Sequence, residues 1–409
     1  MGAYQAIVIG GGIGGLSAAL ALHRQGIPVT VHERAASLEP VGAGLALAPN
    51  ALRALDRLGI GERLRALATP HPAVGLRHPS GRWLARTDTA TFEACFGDTI
   101  AAVARADVIA ALVDALPDGT VRTNSPAALV TPGSTPGGTT GSATGGTPGS
   151  TTGPAVVRTP DGERPAALVV AADGLRSATR ALLFPRHPGP RYSGFTTWRT
   201  VVSPTRRPDA VGEVWGRGQL AGVVPLADGR VYVYGAALAP AGARAADGDE
   251  KAELLRRFGT WCAPVPQLLA LAEPERVLRH DVWDLADPLP TYHQGRVALL
   301  GDAAHAMCPF QGQGACQAIE DAVVLASALT PGADPATTLP AYTAARLPRT
   351  TAIVTGSRRT GGLVALRTPA ATRLRDAALT LAGLLPARTL LNRSARTYNW
   401  QPPALDATA

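Results

Sequence analysis

Chemistry-bearing residues lie close together in the segment from Arg296 to Leu325. Asp302 follows the apolar run Val297–Leu300, which predicts a buried strand with a carboxylate at its end. A glycine-rich turn over 309–314 precedes a helix that we expect to begin near Ala315. A carboxylate can hold the hydroxyl groups of a sugar-like chain, and the first N–H groups of a helix stabilise negative charge. The reduced ring of a flavin, which gains charge at N1 and the C2 carbonyl, suits this arrangement.

A second glycine-rich segment lies near the beginning of the sequence. Gly10, Gly12 and Gly15 form a G-x-G-x-x-G pattern between an apolar strand and a helix, and Glu33 ends the next strand. The acid lies 18 residues after the last glycine, where a ribose-binding carboxylate belongs in a β-α-β unit. The glycines would let the backbone approach a pyrophosphate, so this segment predicts dinucleotide binding.

Composition excludes several classes of protein. At 409 residues the chain favours two interlocked domains over one core. Its net charge of +8 comes almost wholly from dispersed arginines, Lys251 being the single lysine, and no basic stripe with aromatics predicts nucleic-acid binding. No apolar run is long enough to span a membrane, and no targeting segment is recognisable at the start. Four cysteines show no paired spacing and no clustered histidines: Cys95, Cys262, Cys308 and Cys316. They predict free thiols, a cytoplasmic protein and no metal site.

The remaining segments change character along the sequence. Residues 131–154 consist of Gly, Ser, Thr and Pro with one Ala, and we interpret them as a disordered insertion at an expanded hairpin tip. We expect its deletion to leave activity intact. From about residue 184 to 281 strands are expected, with Asp228-Gly229 as a hairpin turn. The period of two places Tyr232 and Tyr234 on one face of their strand.

Several motifs occur in the same order as in a known family. They are GGGIGG with Glu33-Arg34, GAGLALAPNALRALDRLG, ADGLRSATR and GDAAHAMCPFQGQGACQAIEDA. On these the chain resembles the single-component FAD-dependent aromatic hydroxylases, the class A flavoprotein monooxygenases of the salicylate-, 3-hydroxybenzoate- and urate-hydroxylase and zeaxanthin-epoxidase types. The resemblance covers most of residues 4–350. It implies an α/β fold, mixed with α+β character, in which a Rossmann-like FAD-binding domain is interleaved with a β-sheet substrate domain. The implied boundaries are 1–73, 100–183 and 286–350 for the FAD-binding domain, 74–99 and 184–285 for the substrate domain, and 351–409 for C-terminal helices and tail.

The resemblance also implies an activity and a set of ligands. It implies FAD as cofactor, NADPH or NADH as a transient reductant, and O2 as co-substrate. A flavin C4a-hydroperoxide would insert one oxygen atom into an aromatic or polycyclic small molecule, and the protein would be a monomer or homodimer. The implied cofactor-binding residues are Gly10, Gly12, Ile13, Gly14, Gly15, Glu33, Arg34, Ala43, Gly44, Arg105, Asp173, Asp302, Gly312, Gly314, Ala315 and Cys316. The family usually has Asn at the position of Cys316, and we expect this thiol to be structural.

Residues toward the substrate are predicted from the same resemblance. Tyr232 matches a substrate-facing tyrosine of urate hydroxylases, Arg199 could grip an acidic or phenolic group, and Pro309 could exclude water from the ring. Leu220 aligns with an arginine of the urate hydroxylases, which favours a less polar ligand than urate. His305 is expected to be packed and hydrogen-bonded and not a catalytic base.

Other functions remain open at this point. A flavin-dependent halogenase would need a W-x-W-x-x-I-P segment and a lysine between flavin and substrate, and neither is present. An FAD-dependent dehydrogenase or reductase that never uses O2 is the alternative, and an FAD-binding sensor protein is a third. Among oxygenases, hydroxylation, epoxidation and Baeyer–Villiger insertion are not distinguished by these residues.

Overall fold

The structure is a computed structural model that describes residues 5–38, 44–68, 73–133, 153–208, 211–329 and 332–405. Its strands are β1 (Ala6–Ile9), β2 (Val29–His32), β3 (Gly44–Leu47), β4 (Ala73–Arg77), β5 (Trp83–Asp88), β6 (Ala101–Ala104), β7 (Val121–Arg122), β8 (Ala128–Thr131), β9 (Ala155–Thr159), β10 (Gly162–Ala166), β11 (Leu168–Ala171), β12 (Pro190–Val202), β13 (Val211–Trp215), β14 (Gln219–Pro225), β15 (Val231–Leu238), β16 (Leu278–Leu285), β17 (His293–Gln294) and β18 (Val297–Leu299).

The helices connect these strands and cover their faces. They are α1 (Ile13–Arg24), α2 (Pro49–Arg57), α3 (Gly61–Ala66), α4 (Thr89–Phe96), α5 (Arg105–Asp114), α6 (Ala178–Leu183), α7 (Glu250–Phe258), α8 (Val265–Ala270), α9 (Asp302–His305), α10 (Gly314–Ser327), α11 (Pro335–Val364), α12 (Pro369–Ala382), α13 (Ala387–Leu391) and α14 (Ala395–Tyr398). Within the described ranges, no helix combines the length and the apolar character needed to cross a membrane.

The first large sheet is mainly parallel and buried. Its strand order is β17-β18-β11-β1-β2-β7, and β18, β11, β1, β2 and β7 run parallel. Continuous burial of β1, β11 and β18 agrees with their apolar sequences, because strands covered by helices on both faces need no polar side. Helices α1 and α10 pack against each other beside this sheet. A parallel sheet with a strand–glycine–helix unit is the predicted α/β character, which is confirmed.

The second large sheet is mostly antiparallel, with strand order β16-β12-β15-β14-β13-β4-β5. On β15, Val231 and Val233 are buried against the α7–α8 side, while Tyr232 and Tyr234 alternate with them on the other face. The turn at Asp228-Gly229 joins β14 to β15, as predicted. The sheet thus has one face packed on helices and one that carries the tyrosines. The predicted division of the chain into domains stays a prediction.

The segment from Val74 to Thr99, predicted from sequence as strands with turns, also contains a helix. Helix α4 begins after Asp88, whose carboxylate accepts a hydrogen bond from the backbone N–H of Thr91 at 2.7 Å. It ends at Gly97, which has a left-handed backbone (φ 71°). A capping acid and a C-terminal glycine are the usual helix signals. Both signals are present in the sequence, and they explain why the strand before Asp88 is followed by a helix.

The low-complexity segment joins two paired strands. Its residues 134–152 lie outside the described part of the chain, and Thr131, at its predicted start, belongs to β8. Strands β8 and β9 pair antiparallel, as the hairpin interpretation requires. A methyl group built on Gly133 would lie 2.7 Å from the carbonyl oxygen of Gly153, so the two ends of the segment are in contact. No long connection is needed to join them.

We therefore expect that replacing residues 134–152 with a short glycine linker leaves FAD binding and the melting temperature unchanged or slightly improved. Shortening a loop lowers the entropic cost of closing it by on the order of 1 kcal/mol. Flavin absorbance of the purified variant and its thermal unfolding curve would measure both effects. A colourless variant, or one that melts well below the parent, would show that the segment contributes to the fold or to the cofactor site.

Candidate active site

Three neighbouring parallel strands end at one edge of the first sheet. Ile9 of β1 pairs with Ala171 of β11, and Ala171 pairs with Leu299 of β18. The residues that follow these strand ends include Gly10, Asp173 and Asp302, which are far apart in sequence and come together here. The carboxyl ends of parallel strands are the usual place for a ligand in such sheets.

The glycines after β1 divide into two kinds. A methyl group on Gly10 would lie 2.4 Å from the Ala172 carbonyl oxygen, and one on Gly15 would lie 1.9 Å from the carbonyl oxygen of Gly10. A methyl group on Gly14 would meet the side chain of Leu300 at 2.7 Å. A methyl group on Gly12, in contrast, would have no atom within 4 Å. Close packing therefore favours glycine at three of these positions, while a methyl group on Gly12 would extend into open space.

Glu33 fixes the glycine turn from the end of β2. One of its carboxylate oxygens accepts a hydrogen bond from the N–H of Gly11 at 2.7 Å, and the other accepts one from the N–H of Ala35 at 2.8 Å. Arg34 is exposed. Ala43, which the resemblance also assigned to the cofactor, lies outside the described residues.

Two helices begin beside this open space without a side-chain cap. Helix α1 has Gly12 as its N-cap, and α10 has Gln313 as its N-cap, and neither residue caps its helix with a side-chain hydrogen bond. The first N–H groups of both helices, Ile13 and Gly314 among them, are therefore available to an anionic ligand.

The turn before α10 is open toward the same space. Methyl groups on Gly312 or Gly314 would meet no atom within 4 Å, and Gly312 has a left-handed backbone (φ 63°). Ala315, which follows them in the first turn of α10, is half-buried. The two glycines and the first turn of α10 thus present unobstructed backbone at this point.

Cys316, in the first turn of α10, is fully buried, and its Sγ lies 3.5 Å from the carbonyl oxygen of Ala46. Burial raises the pKa of the Cys316 thiol to about 12. A helix N-terminus would lower this pKa, but here burial outweighs it, so the thiol stays protonated and serves packing.

A carboxylate and a guanidinium face each other across the cleft without a direct contact. Asp302 is solvent-accessible although protein surrounds it, and burial in the cleft raises the pKa of its carboxyl, against the effects of His305, Arg105 and Arg180. Burial also lowers the pKa of Arg105, and Asp302 opposes this shift. Arg105 forms no hydrogen bond or salt bridge with any residue that the structure describes. Both side chains therefore have hydrogen-bonding capacity for a ligand.

The β11 turn is tied to the turn that carries Asp302. Asp173 accepts a hydrogen bond from the N–H of Thr179 at 3.0 Å, while its other oxygen is buried and has no partner among the described atoms. Buried Arg180 donates to the carbonyl oxygens of Leu175 at 2.6 Å and Ala303 at 3.0 Å. Sequence analysis recognised the Asp173–Arg180 motif, and the structure shows how its arginine connects two strand ends.

The predicted substrate residues meet where the second sheet approaches this cleft. A methyl group on Gly44 would lie 2.5 Å from the ring of Tyr232, so the two residues are in contact. Burial raises the pKa of Tyr232 to about 12, against the opposing effect of the neighbouring Arg199 guanidinium. Arg199 lies 3.0 Å from Nδ1 of His280, and its Nε atom is buried without a partner in the described structure.

Pro309 begins the short turn Pro309–Gln311 before α10 and is exposed. The ring of its neighbour Phe310 packs edge-on against Phe195 of β12, with ring centroids 4.8 Å apart. Phe310 also lies against Gly361 of α11. This turn therefore joins the substrate-side sheet to the helix whose N-terminus faces the open space.

A buried ionic cluster, which the sequence analysis did not predict, holds α10 in place. Asp321 accepts hydrogen bonds from the N–H of Gly301 at 2.9 Å, from Nε2 of His305 at 2.6 Å and from Nε of Arg346 at 2.6 Å. His305 is buried and hydrogen-bonded, as expected. Burial alone would raise the pKa of Asp321, but His305 and Arg346 lower it to about 2. The cluster connects the strand end that carries Asp302 to the middle of α10.

Glu320, next to Asp321, extends the cluster toward the chain's C-terminal segment. It accepts hydrogen bonds from Asn50 at 2.6 Å and from Nε of Arg349 at 2.6 Å. Arg349 also donates to the carbonyl oxygens of Arg396 at 2.7 Å and Thr397 at 2.9 Å. Two adjacent acids, Glu320 and Asp321, in an otherwise apolar helix are a visible signal that this helix needs basic partners. Those partners are arginines of α11, and no pattern in the sequence indicates that α11 packs against α10.

These residues fit an extended dinucleotide with a polyhydroxyl linker. Open backbone at Gly12 and the uncapped N-terminus of α1 suit a pyrophosphate, and Arg105 with Asp302 suits the linker between the pyrophosphate and the ring. The uncapped N-terminus of α10 suits a ring that gains negative charge. Tyr232, Arg199 and the Phe310 turn then border the far end of the same cleft.

Comparison with known proteins supports this fit. A family model described as "FAD binding domain" matches residues 3–357. Aurachin C monooxygenase/isomerase of Stigmatella aurantiaca is 36% identical over 357 residues, which cover 87% of this chain and 88% of that protein. An FAD-dependent urate hydroxylase of Klebsiella pneumoniae is 32% identical over 363 residues, covering 87% and 89%. The crystal structure of Klebsiella pneumoniae HpxO complexed with FAD and uric acid superimposes with a TM-score of 0.83 at 28% identity, covering 98% and 97% of the two chains.

Proposed function

The chain belongs to the FAD-binding-domain family of single-component FAD-dependent aromatic hydroxylases, and on that premise we propose that it is a monooxygenase of small aromatic or polycyclic molecules. NADPH or NADH would act as the transient reductant and O2 as the co-substrate. When bound, FAD supplies the redox chemistry, which comprises acceptance of a hydride and activation of O2 at the C4a carbon.

The observation that carries the proposal has two parts: Arg105 and Asp302 influence each other electrostatically without a direct bond, and α10, which follows Asp302 along the chain, begins without a side-chain cap. Arg105 and Asp302 would bind phosphate and hydroxyl oxygens between the two ends of the cofactor. The N–H groups of Gly314 and its neighbours would stabilise negative charge on the reduced ring, an effect on the order of 1 kcal/mol at a partly buried helix end. A protein that only stored FAD would gain nothing from stabilising the reduced form.

The remaining cofactor contacts follow from the same placement. Gly10, Gly12, Ile13, Gly14 and Gly15 would surround the pyrophosphate. Glu33 and Arg34 would lie at the adenosine end, and Asp173 has a free carboxylate oxygen for the cofactor or for the nicotinamide nucleotide. The backbone of Gly312, Gly314, Ala315 and Cys316 would border the pyrimidine edge of the ring, with Ala43 and Gly44 on its other side.

Substrate binding would use the tyrosine-bearing face of the second sheet. Tyr232 and the neighbouring Arg199 would orient an oxygen substituent of the substrate. Pro309 would help exclude water from the flavin ring. Leu220 is buried on β14 in an apolar cluster with Phe195, Ala236 and Phe310, which favours a less polar ligand than urate. An epoxidase or Baeyer–Villiger variant would need the same cofactor geometry and a different substrate pose.

The experiment that tests this function is a screen of aromatic compounds for stimulated NADPH and NADH consumption by the FAD-loaded protein. We expect at least one phenol or related compound to accelerate consumption about tenfold or more and to yield product that is heavier by one oxygen atom. Labelling with 18O2 identifies the source of that atom. Reductant consumption that yields only hydrogen peroxide, or product without 18O, would favour the dehydrogenase or reductase alternative.

A further inference from the structure

The Glu213 carboxylate lies on the tyrosine-bearing face of the second sheet. Glu213 of β13 accepts a hydrogen bond on one oxygen from the Tyr234 hydroxyl at 2.7 Å, and on the other from Nε1 of Trp215 at 2.7 Å. The Tyr234 ring crosses β14 to reach it, because Gly222 leaves that path free: a methyl group there would lie 2.0 Å from Cζ of Tyr234. Glu213 and Trp215 of β13 therefore form a hydrogen-bonded group with Tyr234 of β15, across the intervening strand β14.

No arginine, lysine or histidine that the structure describes forms a salt bridge with this carboxylate. Burial raises its pKa, and only the hydrogen bonds from Trp215 and Tyr234 act in the opposite direction, with no contribution from an arginine, lysine or histidine of the described chain. A chain with 39 basic residues could readily supply a partner. A buried carboxylate without a cationic partner is unfavourable in low-dielectric surroundings. A ligand that donates a hydrogen bond to Glu213 would therefore bind more tightly.

The surroundings of Glu213 are those expected for a wall of the substrate site. Both Glu213 and Tyr234 remain partly solvent-accessible although protein surrounds them, which is typical of a cavity wall. The Tyr234 ring stacks near Tyr232, with centroids 5.4 Å apart. The adjoining apolar cluster includes Trp215 and Leu220 and reaches Phe310 in the turn before α10. A ligand between that turn and the sheet would thus have Arg199 at one end and Glu213 on the same face.

We propose that Glu213, positioned by Tyr234 and Trp215, is a specificity-determining residue that accepts a hydrogen bond from an N–H group of the substrate, which is therefore a nitrogen-bearing aromatic compound. The two existing hydrogen bonds leave each carboxylate oxygen with a further lone pair for this contact. Arg199 and Tyr232 would bind the oxygen substituent of the same molecule. This inference rests on the proposed function, because it names the substrate class of that site.

The test compares pairs of probes in which one member carries an N–H group and the other does not. The probes are 3-aminophenol against 3-methylphenol, and 4-hydroxyquinoline, which carries an N–H in its keto form, against 1-naphthol. Binding to the FAD-loaded protein is measured from the change in flavin absorbance, without reductant. We expect the parent protein to bind each nitrogen compound about tenfold or more tightly than its carbon partner, and Glu213→Gln to weaken only the nitrogen compounds, by about 10- to 100-fold.

A matched control lies on the opposite face of the same sheet. Glu250 accepts a hydrogen bond from Nε1 of Trp198 at 2.7 Å, so Glu250→Gln makes the same chemical change away from the cavity and should alter neither class of probe. Tyr234→Phe, which removes one of the two hydrogen bonds that position the carboxylate, should weaken the nitrogen compounds, but less than Glu213→Gln does. Equal losses for both probe classes in Glu213→Gln, an unchanged preference, or no binding of either nitrogen compound at millimolar concentration would overturn the inference.

The binding and turnover measurements together distinguish a failure of the Glu213 role from a failure of the proposed monooxygenase function. Stimulated NADPH or NADH consumption by the carbon probes alone would support the monooxygenase and overturn the role of Glu213. Selective binding of the nitrogen probes that depends on Glu213, with no oxygenated product from any probe, would support the binding role and count against the monooxygenase.

Discussion

Adding one methyl group at Gly12 is expected to abolish tight FAD binding while leaving the folded protein intact. The Gly12 backbone is extended (φ −75°, ψ 178°), a conformation that alanine adopts without strain. Its methyl group would have no protein atom within 4 Å, but it would occupy the space in which we place the pyrophosphate. We expect Gly12→Ala to weaken FAD about 100-fold, equivalent to about 2.8 kcal/mol, and to change the unfolding free energy of the apoprotein by less than about 0.5 kcal/mol.

The matched variant Gly15→Ala adds the same methyl group three residues later with the opposite expected result. Its methyl group would lie 1.9 Å from the carbonyl oxygen of Gly10, so α1 must move away from β1. We expect the apoprotein to lose on the order of 3 kcal/mol, because overpacking against backbone cannot be relieved by a side-chain rotation. FAD titration by fluorescence quenching and urea unfolding of the apoproteins measure both quantities. Unchanged FAD affinity in Gly12→Ala would place the pyrophosphate elsewhere.

Removing the guanidinium of Arg346 is expected to be the most destabilising single change in the α10 region. Arg346 is fully buried and forms salt bridges with both Glu320 and Asp321. Arg346→Met keeps much of the side-chain volume but leaves two carboxylates with fewer partners in the core. The loss of one partner from a buried ionic cluster costs about 3–5 kcal/mol. Urea unfolding at neutral pH should show this loss.

The control for that variant is Arg256→Met, which removes an arginine that also lies 2.6 Å from a carboxylate, in Glu253, but at an exposed position. An exposed pair contributes about 0–1 kcal/mol, so this variant should unfold almost as the parent does. Similar losses for the two variants would contradict the importance that we assign to the buried cluster.

The same cluster predicts a dependence of stability on pH. The pKa of Asp321 is lowered to about 2 in the folded protein, below its value of about 3.9 in an unfolded chain. A lowered pKa means that the ionised form favours folding, so the stabilisation is complete above about pH 4 and is lost as the pH falls toward 2. In Arg346→Met this loss should be smaller, because one of the cations that lowers the pKa is gone. Urea unfolding at several pH values between 2 and 6 measures the difference.

Local patterns in the sequence were sufficient for the parallel sheet and the glycine turn. Strands β1 and β18 were predicted because each is a short continuous apolar run followed by glycine, a pattern that is typical of a buried strand before a turn. The pairing of Tyr232 with Tyr234 on one face followed from the period of two. These features depend on neighbours within a few residues, and such neighbours are visible in a single sequence. Membership in the flavin-dependent hydroxylase family, inferred from four separated motifs, is confirmed by the family match.

Only the tertiary structure decided which distant residues share a site. Arg346 of α11 neutralises Glu320 and Asp321, and Arg349 connects them to the segment around Thr397, although nothing local in α11 marks these two arginines among 38. Glu213 stands as a lone acid in VGEVW, a visible irregularity, but only the tertiary structure shows that no described cation pairs with it. Sequence periodicity reports which side of its own element a residue occupies. Charge compensation depends on contacts between elements that are far apart along the chain, and these exist only after folding.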